Sequence, residues 1–453
     1  MTDRHATIVS GSSIRIEGRL ERADRERDPY RHVPFEIPPG VRALRIELRH
    51  DPPGSADHPD DGAVLDLGLI GPGSVAIGTE AFRGWSGSER ASVLVGETRA
   101  TPGYRPGPIT PGQWNVILGL YGIPDGGCRY TLDIELLDSE PGAPADPLPT
   151  IRQAGSGQGV GQRWYACDLH VHSVHSDGAD ELPALAATAR RVGLDVLAST
   201  DHNTDSHHPW LAAAGETAGV ALLPGEEVTT YGGHMNAIGA TTWVDFRHRT
   251  AAGIRGAIDA IHAAGGLASV NHPRGNACAW AFGDDLPVDL IEVWNGPWSG
   301  ADEESLAWWY ELVAAGRRPT PVGGSDCHDV GNPDTPLGTP TTWVLAGDPS
   351  RASIIDALAS ARVALTSSPS DAPPLIEIDG GTMSWEVPVS TSNRRLVIRS
   401  IEGAVKEATI AAGLARGRLT LATDRRASLA AAEVRDPTDA LLALVPLFNA
   451  GGR

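Results

Sequence analysis

The feature that most constrains this fold is a regular alternation of short apolar strands and amphipathic helices between residues 164 and 369. Residues 195–200 and 267–272 have the length and composition of buried strands, and residues 181–191 have the composition of a helix. Repeated strand–helix units of this length predict a parallel sheet, and a closed barrel is its expected form. Side chains at the carboxyl ends of barrel strands gather at one rim, so a functional site is expected there.

The segments on either side have a different pattern. In residues 1–140, runs such as 43–49 and 130–136 alternate apolar and polar side chains between Pro/Gly-rich turns, which predicts an antiparallel β-sandwich. Residues 141–162 are rich in proline and then in glycine, which predicts a linker. Residues 163–369 then form the α/β domain, and residues 370–453 are expected to form a small β-rich domain.

Composition excludes several classes of partner. The formal net charge is −20, so most of the surface repels a polyanion, and binding of duplex nucleic acid is not expected. No apolar run reaches the roughly 18 residues of a membrane-spanning helix, and no secretory signal is recognisable at the start. The four cysteines are scattered without a C-x-x-C pair, which favours reduced thiols and a cytoplasmic location.

Ligand-type side chains recur where the predicted strands end. His170 and His172 are two residues apart and therefore point to one face of a strand, where two imidazoles can bind one metal ion. A chance pair is the ordinary alternative, but four further strand ends carry imidazoles or carboxylates, and 11 of the 15 histidines lie between His170 and His328. Imidazoles and carboxylates at one rim are what a cluster of divalent ions requires, so the sequence predicts a metal centre.

The order of these motifs resembles that of a known family. D-L-H-V-H-S with H-S-D-G, T-D-H-N, P-G-E-E-V-T-T-Y-G-G-H-M-N, N-H-P-R-G and G-G-S-D-C-H-D are similar to the motifs of the PHP-domain (polymerase and histidinol phosphatase) metallohydrolases, over residues 164–369. The E-V-T-T and E-V-W-N-G segments look like the CehA/McbA subgroup. The resemblance implies a distorted (β/α)7 barrel that holds two to three divalent ions, with Zn, Mn and Fe all open as their identity.

Carried over residue by residue, the resemblance implies a ligand set for each ion. The ligands of the first ion would be His170, His172, Glu227 and Asp326. The second ion would share Glu227 and add His234 and His272, and the third would be bound by Asp177, His202 and His328. Glu226 would point away, because neighbours in an extended segment alternate. His175 is expected to support the site, and a direct ligand role for it remains open.

The predicted activity is hydrolysis of a small, anionic phosphomonoester or phosphodiester by a metal-activated hydroxide. Glu227, Asp326 and His328 would lie at the reacting atoms, and Arg274 would steady an anionic oxygen unless it is only a surface residue. A carbamate or carboxylic ester hydrolase on the same site, a catalytically inactive binding module and a nuclease are the alternatives. The oligomeric state is open.

Several other residues have weaker functional interpretations. Two asparagines, Asn203 and Asn295, are either hydrogen-bond donors beside the ligands or turn residues. Three tryptophans that follow predicted strands either form the wall of an aryl pocket or pack in the core: Trp280, Trp294 and Trp298. Six histidines are expected to be solvated or at the surface: His32, His50, His58, His207, His208 and His262. Cys327 is expected to face away from its two ligand neighbours.

Overall fold

The computed structural model describes residues 5–10, 13–51, 53–54, 62–142, 161–275, 278–379, 382–421 and 428–448. In these residues the chain has a mixed α/β fold, as predicted, with five sheets. Residue 58 and most of the predicted linker lie outside the described residues. The described α-helices are α1 (Arg22–Arg27), α2 (Leu182–Val192), α3 (Leu211–Ala218), α4 (Ala251–Ala263), α5 (Gly300–Ala314) and α6 (Arg351–Ala359).

The first domain consists of two antiparallel sheets that share one core. Its strands are β1 (His5–Ser10), β2 (Ser13–Leu20), β3 (Tyr30–Ile37), β4 (Ala43–Asp51), β5 (Val64–Ile70), β6 (Phe82–Trp85), β7 (Ser92–Gly96), β8 (Gly112–Gly122) and β9 (Cys128–Leu137). The sheet orders are β1-β2-β9-β4-β7 and β3-β8-β5-β6. Leu44 and Ile46 of β4 meet Val116 and Leu118 of β8 in this core, because alternate side chains of each strand point inward.

The second domain carries the strand–helix alternation. Its strands are β10 (Arg163–Val171), β11 (Val196–Ser199), β12 (Ala221–Leu223), β13 (Glu227–Thr230), β14 (Gly233–Ile238), β15 (Leu267–Val270), β16 (Leu290–Asn295), β17 (Thr320–Gly324), β18 (Thr341–Ala346) and β19 (Val363–Thr366). The strands β10, β11 and β12 are parallel to one another, as are β15, β16 and β17.

The sheets of this domain are mixed rather than wholly parallel. β14 runs antiparallel to β13 and to β15, and β18 runs antiparallel to β10. Two residues connect β13 to β14, and so short a connection can join only antiparallel strands. Two isolated bridges join the two sheets of the domain, Val171 to Cys327 and His202 to Glu227. The ends of β10, β11, β13 and β17 therefore meet at one place.

Local signals explain where the helices of this domain begin and end. The side chain of Thr250 caps α4 by accepting a hydrogen bond from the Gly253 N–H, and Ile254, Ile258 and Ile261 of α4 are buried at helical spacing. These isoleucines lie in the main hydrophobic core, together with side chains of β15 and β16. The helices therefore cover the outer face of the sheet and leave the strand ends to the site.

The C-terminal region continues a sheet of the second domain. Its strands are β20 (Leu375–Asp379), β21 (Thr382–Glu386), β22 (Arg394–Ser400), β23 (Gly403–Ile410), β24 (Arg416–Thr420), β25 (Leu429–Arg435) and β26 (Leu441–Pro446). β26 pairs with β19, which gives a nine-stranded sheet with the order β12-β11-β10-β18-β19-β26-β25-β22-β23. β25 has the sequence LAAAEVR, whose alanines favour a helix, but burial between two strands overrides that propensity.

Aromatic side chains join the first domain to the second. Phe82 stacks on Trp243 with ring centroids 4.0 Å apart, and Trp85 meets Phe246 at 4.6 Å. An ion pair of 2.6 Å between Arg105 and Asp205 crosses the same interface. None of the helices in the described part of the chain is long and apolar enough to cross a membrane.

Candidate metal centre

The ligand-type side chains lie where the two sheets of the second domain meet. Where β10 and β17 end, the Asp326 N–H donates to the His170 carbonyl at 2.9 Å, and the His172 N–H donates to the Cys327 carbonyl at 3.0 Å. These bonds hold the paired histidines beside Asp326. The Glu227 side chain, at the start of β13, completes the inner wall and is 1% exposed.

Glu227 is the centre of the cluster. Five imidazole nitrogens lie within 3.5 Å of its two oxygens: Nδ1 of His234 at 3.1 Å, Nε2 of His272 at 3.3 Å and Nε2 of His170 at 3.5 Å from Oε1, and Nδ1 of His202 at 2.8 Å and Nε2 of His172 at 3.5 Å from Oε2. One carboxylate therefore reaches two separate groups of imidazoles, which is the geometry of a bridging ligand.

Two aspartates lie on either side of these imidazoles. Asp326 Oδ1 is 3.1 Å from His172 Nε2 and 3.3 Å from His170 Nε2. Asp177 lies against two other imidazoles: Nε2 of His202 at 3.5 Å and Nε2 of His328 at 3.3 Å. The Asp177 side chain is 38% exposed and that of His328 is 37% exposed, so this side of the cluster is the open one.

In the described part of the chain, the ligand atoms form four groups whose members lie within 4.8 Å of one another. The groups are His172, Asp177, His202 and His328; His170, His172 and Asp326; His170, Glu227 and His272; and His202, Glu227 and His234. The structure thus brings together all nine residues that the sequence predicts as ligands.

The donor atoms fit divalent ions. His170 Nε2 and His172 Nε2 are buried and have no hydrogen-bond partner in the described residues, although an unpaired buried polar atom costs about 1–3 kcal/mol. Two ligands of one tetrahedral ion, bound at about 2.0–2.1 Å, lie about 3.3–3.4 Å apart. The observed separations of 3.1 and 3.3 Å between Asp326 and these two nitrogens agree with that value.

The charges of the cluster also favour cations. Burial opposes the ionised form of Glu227 and of Asp326, but the surrounding imidazoles outweigh it and hold the pKa of both carboxyls well below its usual range. Burial, together with His328 and His202, lowers the pKa of His172 to about 4, so this imidazole is neutral at pH 7. Burial opposes the charged form of His202 and His328 as well, but the nearby carboxylates outweigh it and raise the pKa of His202 to about 10 and that of His328 to about 9. The carboxylates of the centre thus attract positive charge, and a divalent ion that binds these imidazoles displaces their protons.

Glu292 supports the ligands, and the sequence reasoning missed its role. Its side chain is 3% exposed, and Oε1 lies 2.9 Å from His170 Nδ1. Oε2 accepts from the His272 N–H at 2.8 Å and from Asn295 Nδ2 at 3.1 Å. A carboxylate on the outer nitrogen of a histidine ligand fixes its tautomer and orientation. The available signal was a charged residue within the apolar strand β16.

Asp201 is a second missed support. It is fully buried and accepts hydrogen bonds of 2.9–3.0 Å from three serines: Ser173 through N–H and Oγ, Ser176 through Oγ and Ser199 through Oγ. Burial opposes its charge, but His207 and other imidazoles outweigh it and hold the pKa of Asp201 well below its usual range. This carboxylate joins the segment around the paired histidines to the T-D-H-N motif.

Two asparagines are beside the ligands. Asn295 Nδ2, besides its bond to Glu292, lies 3.4 Å from Asp326 Oδ2. Asn203 holds the backbone of β13 through both atoms of its amide, donating to the Thr229 carbonyl at 3.1 Å and accepting from the Thr229 N–H at 2.7 Å. Both amides therefore orient protein groups near the ligands.

The backbone is strained at this site. Asn203, His272 and Asp326 have φ angles of 56°, 27° and 53°, a region that side-chain-bearing residues rarely occupy. Such conformations cost about 1–3 kcal/mol each and concentrate at functional sites. Their occurrence at two ligand-type residues and one neighbour supports a functional role for the cluster.

Some predicted side chains lie elsewhere. Glu226 points away from the cluster, as expected: its Oε2 accepts from the Val244 N–H at 2.7 Å, and burial raises its pKa well above the usual range. Among the described residues, the Arg274 guanidinium packs 4.3 Å from the Trp308 ring and donates to the Pro273 carbonyl at 3.1 Å. Its contact with an anionic oxygen of a substrate stays a prediction.

His175 is outside the ligand groups of the described residues, and its Nδ1 lies 2.8 Å from Ser206 Oγ. The prediction that His207 is solvated is wrong. The segment after the T-D-H-N motif forms a short 3₁₀ turn, and His207 at its start is completely buried, which lowers its pKa. His208 is half-buried in the same turn, with Nε2 2.9 Å from the Gly225 carbonyl.

The remaining predictions divide between surface and core. His262 is exposed, as expected, whereas His32 and His50 are half-buried, His32 because it lies at the domain interface 3.0 Å from Arg247. Cys327 faces the core and not the ligands. The tryptophans are packed: Trp280 and Trp294 are buried, and Trp298 packs on Trp294 at 5.1 Å.

Comparisons with known proteins give a partial match. No protein-family model matches the chain. Over 142 residues the chain is 30% identical to the uncharacterized protein MJ1587 of Methanocaldococcus jannaschii. This alignment covers 28% of this chain and 80% of that protein. Over 64 residues it is 39% identical to the phosphoribosyl 1,2-cyclic phosphate 1,2-diphosphodiesterase of Eggerthella lenta, covering 14% of this chain and 24% of that enzyme. The match therefore spans about a quarter of the enzyme's length.

Among solved structures, the chain is similar to a two-domain protein from Bacteroides vulgatus that contains a predicted PHP-like metal-dependent phosphoesterase. The identity is 19% and the TM-score 0.40, and the alignment covers 68% of this chain and 100% of that chain. At this distance the likeness assigns no activity.

Proposed function

This chain belongs to the family of protein MJ1587 of Methanocaldococcus jannaschii, and we propose that it is a metal-dependent hydrolase that cleaves a small phosphoester. The observation that carries the proposal is the set of four overlapping ligand groups, which share His170, His172, His202 and Glu227. Shared ligands favour several adjacent ions over one isolated structural ion. We further propose a PHP-type distorted (β/α)7 barrel of the CehA/McbA subgroup, which the order of the motifs supports.

We assign the ions as the family resemblance implies. The first ion would be held by His170, His172, Glu227 and Asp326; the second by Glu227, His234 and His272; and the third by Asp177, His202 and His328. The groups of neighbouring ligand atoms cut across these sets, since His202 also lies beside Glu227 and His172 beside Asp177. Asp177, Glu227, Asp326 and the supporting Glu292 carry four negative charges when ionised, which two divalent ions balance. Two to three ions of Zn, Mn or Fe suit this mixture of imidazoles and carboxylates.

The protein's part in the reaction is to orient the ligand side chains and to exclude water from the buried ones. Divalent ions, when bound, supply a water of lowered pKa and polarise the scissile P–O bond. Glu292 accepts the Nδ1 proton of His170, and the Asp326 carbonyl, 2.8 Å away, accepts the Nδ1 proton of His328. Both contacts hold Nδ1 and direct Nε2 into the cluster, where it would bind an ion once its own proton is displaced. Asn271 donates to Glu227 Oε1 at 2.9 Å and fixes the bridging carboxylate.

The open side of the cluster sets where a substrate enters. Asp177 and His328 are the most exposed ligands, whereas His170, His172 and Glu227 are at most 1% exposed. A substrate therefore approaches from Asp177 and His328, with the reacting atoms near Glu227 and Asp326. The net charge of −20 opposes long polyanions, so a small anionic ester is the proposed substrate. The name of the Eggerthella lenta relative makes a phosphodiester the first substrate to test.

The experiment is turnover of metal-reloaded protein on matched aryl substrates: a phosphodiester, a phosphomonoester, a methylcarbamate and an acetate, each with and without chelator. Chelator-sensitive cleavage of either phosphate is expected, and His170→Ala and Asp326→Ala should abolish it together with metal binding. Cleavage of only the carbamate or the acetate would replace the phosphoesterase proposal by an ester hydrolase. An inert protein that retains its ions would favour a binding module.

A further inference from the structure

The loop that carries Asp177 leaves two carbonyls for a partner outside its own domain. In the loop after β10, the N–H groups of Ser176 and Gly178 both donate to the Ser173 carbonyl at 3.0 Å. The carbonyls of Val174 and Ser176 take no part in this turn. Since Asp177 is the next residue and is exposed, the position of its carboxylate depends on how these two carbonyls are held.

Arg90 of the first domain holds both of them. It lies between β6 and β7, and its Nη1 donates to the Ser176 carbonyl at 2.6 Å while its Nη2 donates to the Val174 carbonyl at 2.8 Å. The two donors belong to one rigid, planar guanidinium, so they fix the distance and orientation of the two carbonyls together. A single bond from a flexible side chain would fix neither.

Gly103 of the first domain anchors the neighbouring loop. Its N–H donates to Ser206 Oγ at 3.1 Å, and its carbonyl accepts from Thr204 Oγ1 at 2.9 Å. Ser206 Oγ in turn lies 2.8 Å from Nδ1 of His175, in the loop that Arg90 holds. A Cβ on Gly103 would come within 2.9 Å of the His175 carbonyl, so the two domains approach closely at this point. The first domain therefore contacts both loops that flank the open side of the cluster.

We propose that Arg90 is a positioning residue for Asp177, and that the first domain is thereby part of the third ion's site. This inference rests on the proposed function, because it concerns one of the ions assigned there. Ligands must be held within about 0.5 Å of their working geometry by the groups around them. The buried ligands are held by the core of the second domain, whereas Asp177 lies at the open side and depends on a contact from the other domain.

The test uses the full-length chain, with Arg249→Ala as a matched control. Arg249 also spreads a guanidinium over two backbone carbonyls across the domain interface, those of Arg27 at 2.6 Å and Glu26 at 2.8 Å, but it does not bond to the Asp177 loop. Zn²⁺ binding is measured by competition with a chromophoric chelator, and thermal unfolding is recorded in parallel. In Arg90→Ala one ion, the third, should lose affinity about 10- to 100-fold while the affinities of the other ions are unchanged.

Arg249→Ala should bind Zn²⁺ like the wild type, and Arg90→Lys should recover part of the lost affinity because lysine reaches one carbonyl but not both. If Arg90→Ala matches Arg249→Ala in the affinity of every ion, the inference is overturned. It is also overturned if Arg90→Ala weakens all ions equally and unfolds at a much lower temperature, since the role would then be general stability. A wild-type chain that binds no Zn²⁺ overturns the proposed function itself, an outcome distinct from an unaffected Arg90→Ala beside a wild type that does bind.

Discussion

Replacing Glu292 by glutamine should weaken metal binding although Glu292 is not one of the proposed ligands. In the wild type, one oxygen accepts from His170 Nδ1 at 2.9 Å and the other accepts from the His272 N–H at 2.8 Å. The glutamine amide has only one oxygen, and its NH₂ group would face one of these donors. Either the His170 ring loses its orienting partner or the strained backbone at His272 loses its hydrogen bond.

The size of this effect follows from the bond that is lost. A hydrogen bond to a buried charged group contributes about 1.5–3 kcal/mol, and about 1.4 kcal/mol corresponds to a tenfold change in an equilibrium constant. The Glu292→Gln variant should therefore bind Zn²⁺ about 10- to 100-fold more weakly, the range known for such supporting residues. Metal affinity is measured by chelator competition, with Glu304→Gln on the exposed face of α5 as the control. An affinity within twofold of the wild type would refute the assigned role.

Three further predictions concern the two neighbouring glutamates Glu226 and Glu227, the buried Asp66, and Gly178 in the loop after β10. Glu227→Gln should abolish turnover and lower metal content. Glu226→Gln should retain both, because Glu226 points away from the cluster and burial raises the pKa of its carboxyl well above the usual range; the opposite pattern would show that the wrong glutamate was chosen. Burial raises the pKa of Asp66 to about 7, so its contribution to stability, complete below about pH 4, is lost as the pH rises to 7. The free energy of unfolding of Asp66→Asn should therefore rise relative to that of the wild type by on the order of 4 kcal/mol over this range, measured from pH 4 to 8; a difference that does not change with pH would contradict it. A Cβ on Gly178 would meet backbone atoms at 2.5 Å, so Gly178→Ala should lose about 1–3 kcal/mol of stability as well as metal, whereas Gly126→Ala, with open space, should lose neither.

The parts of the site that could be predicted are those encoded by short-range rules. Side chains at strand ends converge because parallel neighbours end at one rim, and the alternation of an extended segment separates Glu226 from Glu227. Glu292 and Asp201 were missed because their partners lie 122 and 28 residues away, so no local spacing reports those contacts.

The same distinction applies to the fold. The pattern of residues 164–369 predicted an α/β fold with a parallel sheet, but it could not show that β14 forms a hairpin with β13 and so breaks the parallel order. The alanine-rich β25 has the local propensity of a helix, and only its pairing with β22 and β26 makes it a strand. The docking of Arg90 on the Asp177 loop joins two domains and has no counterpart in either segment alone.

The number of divalent ions bound per chain distinguishes a cluster of ions that share ligands from a single ion or an empty site. Purified wild-type protein is reloaded with Zn²⁺, Mn²⁺ or Fe²⁺, freed of unbound metal and examined by elemental mass spectrometry, with Glu227→Gln in parallel. The account predicts two to three ions per wild-type chain and fewer in the variant, because Glu227 lies in two of the four ligand groups. A folded wild-type chain that retains less than one ion after reloading with each metal would contradict it.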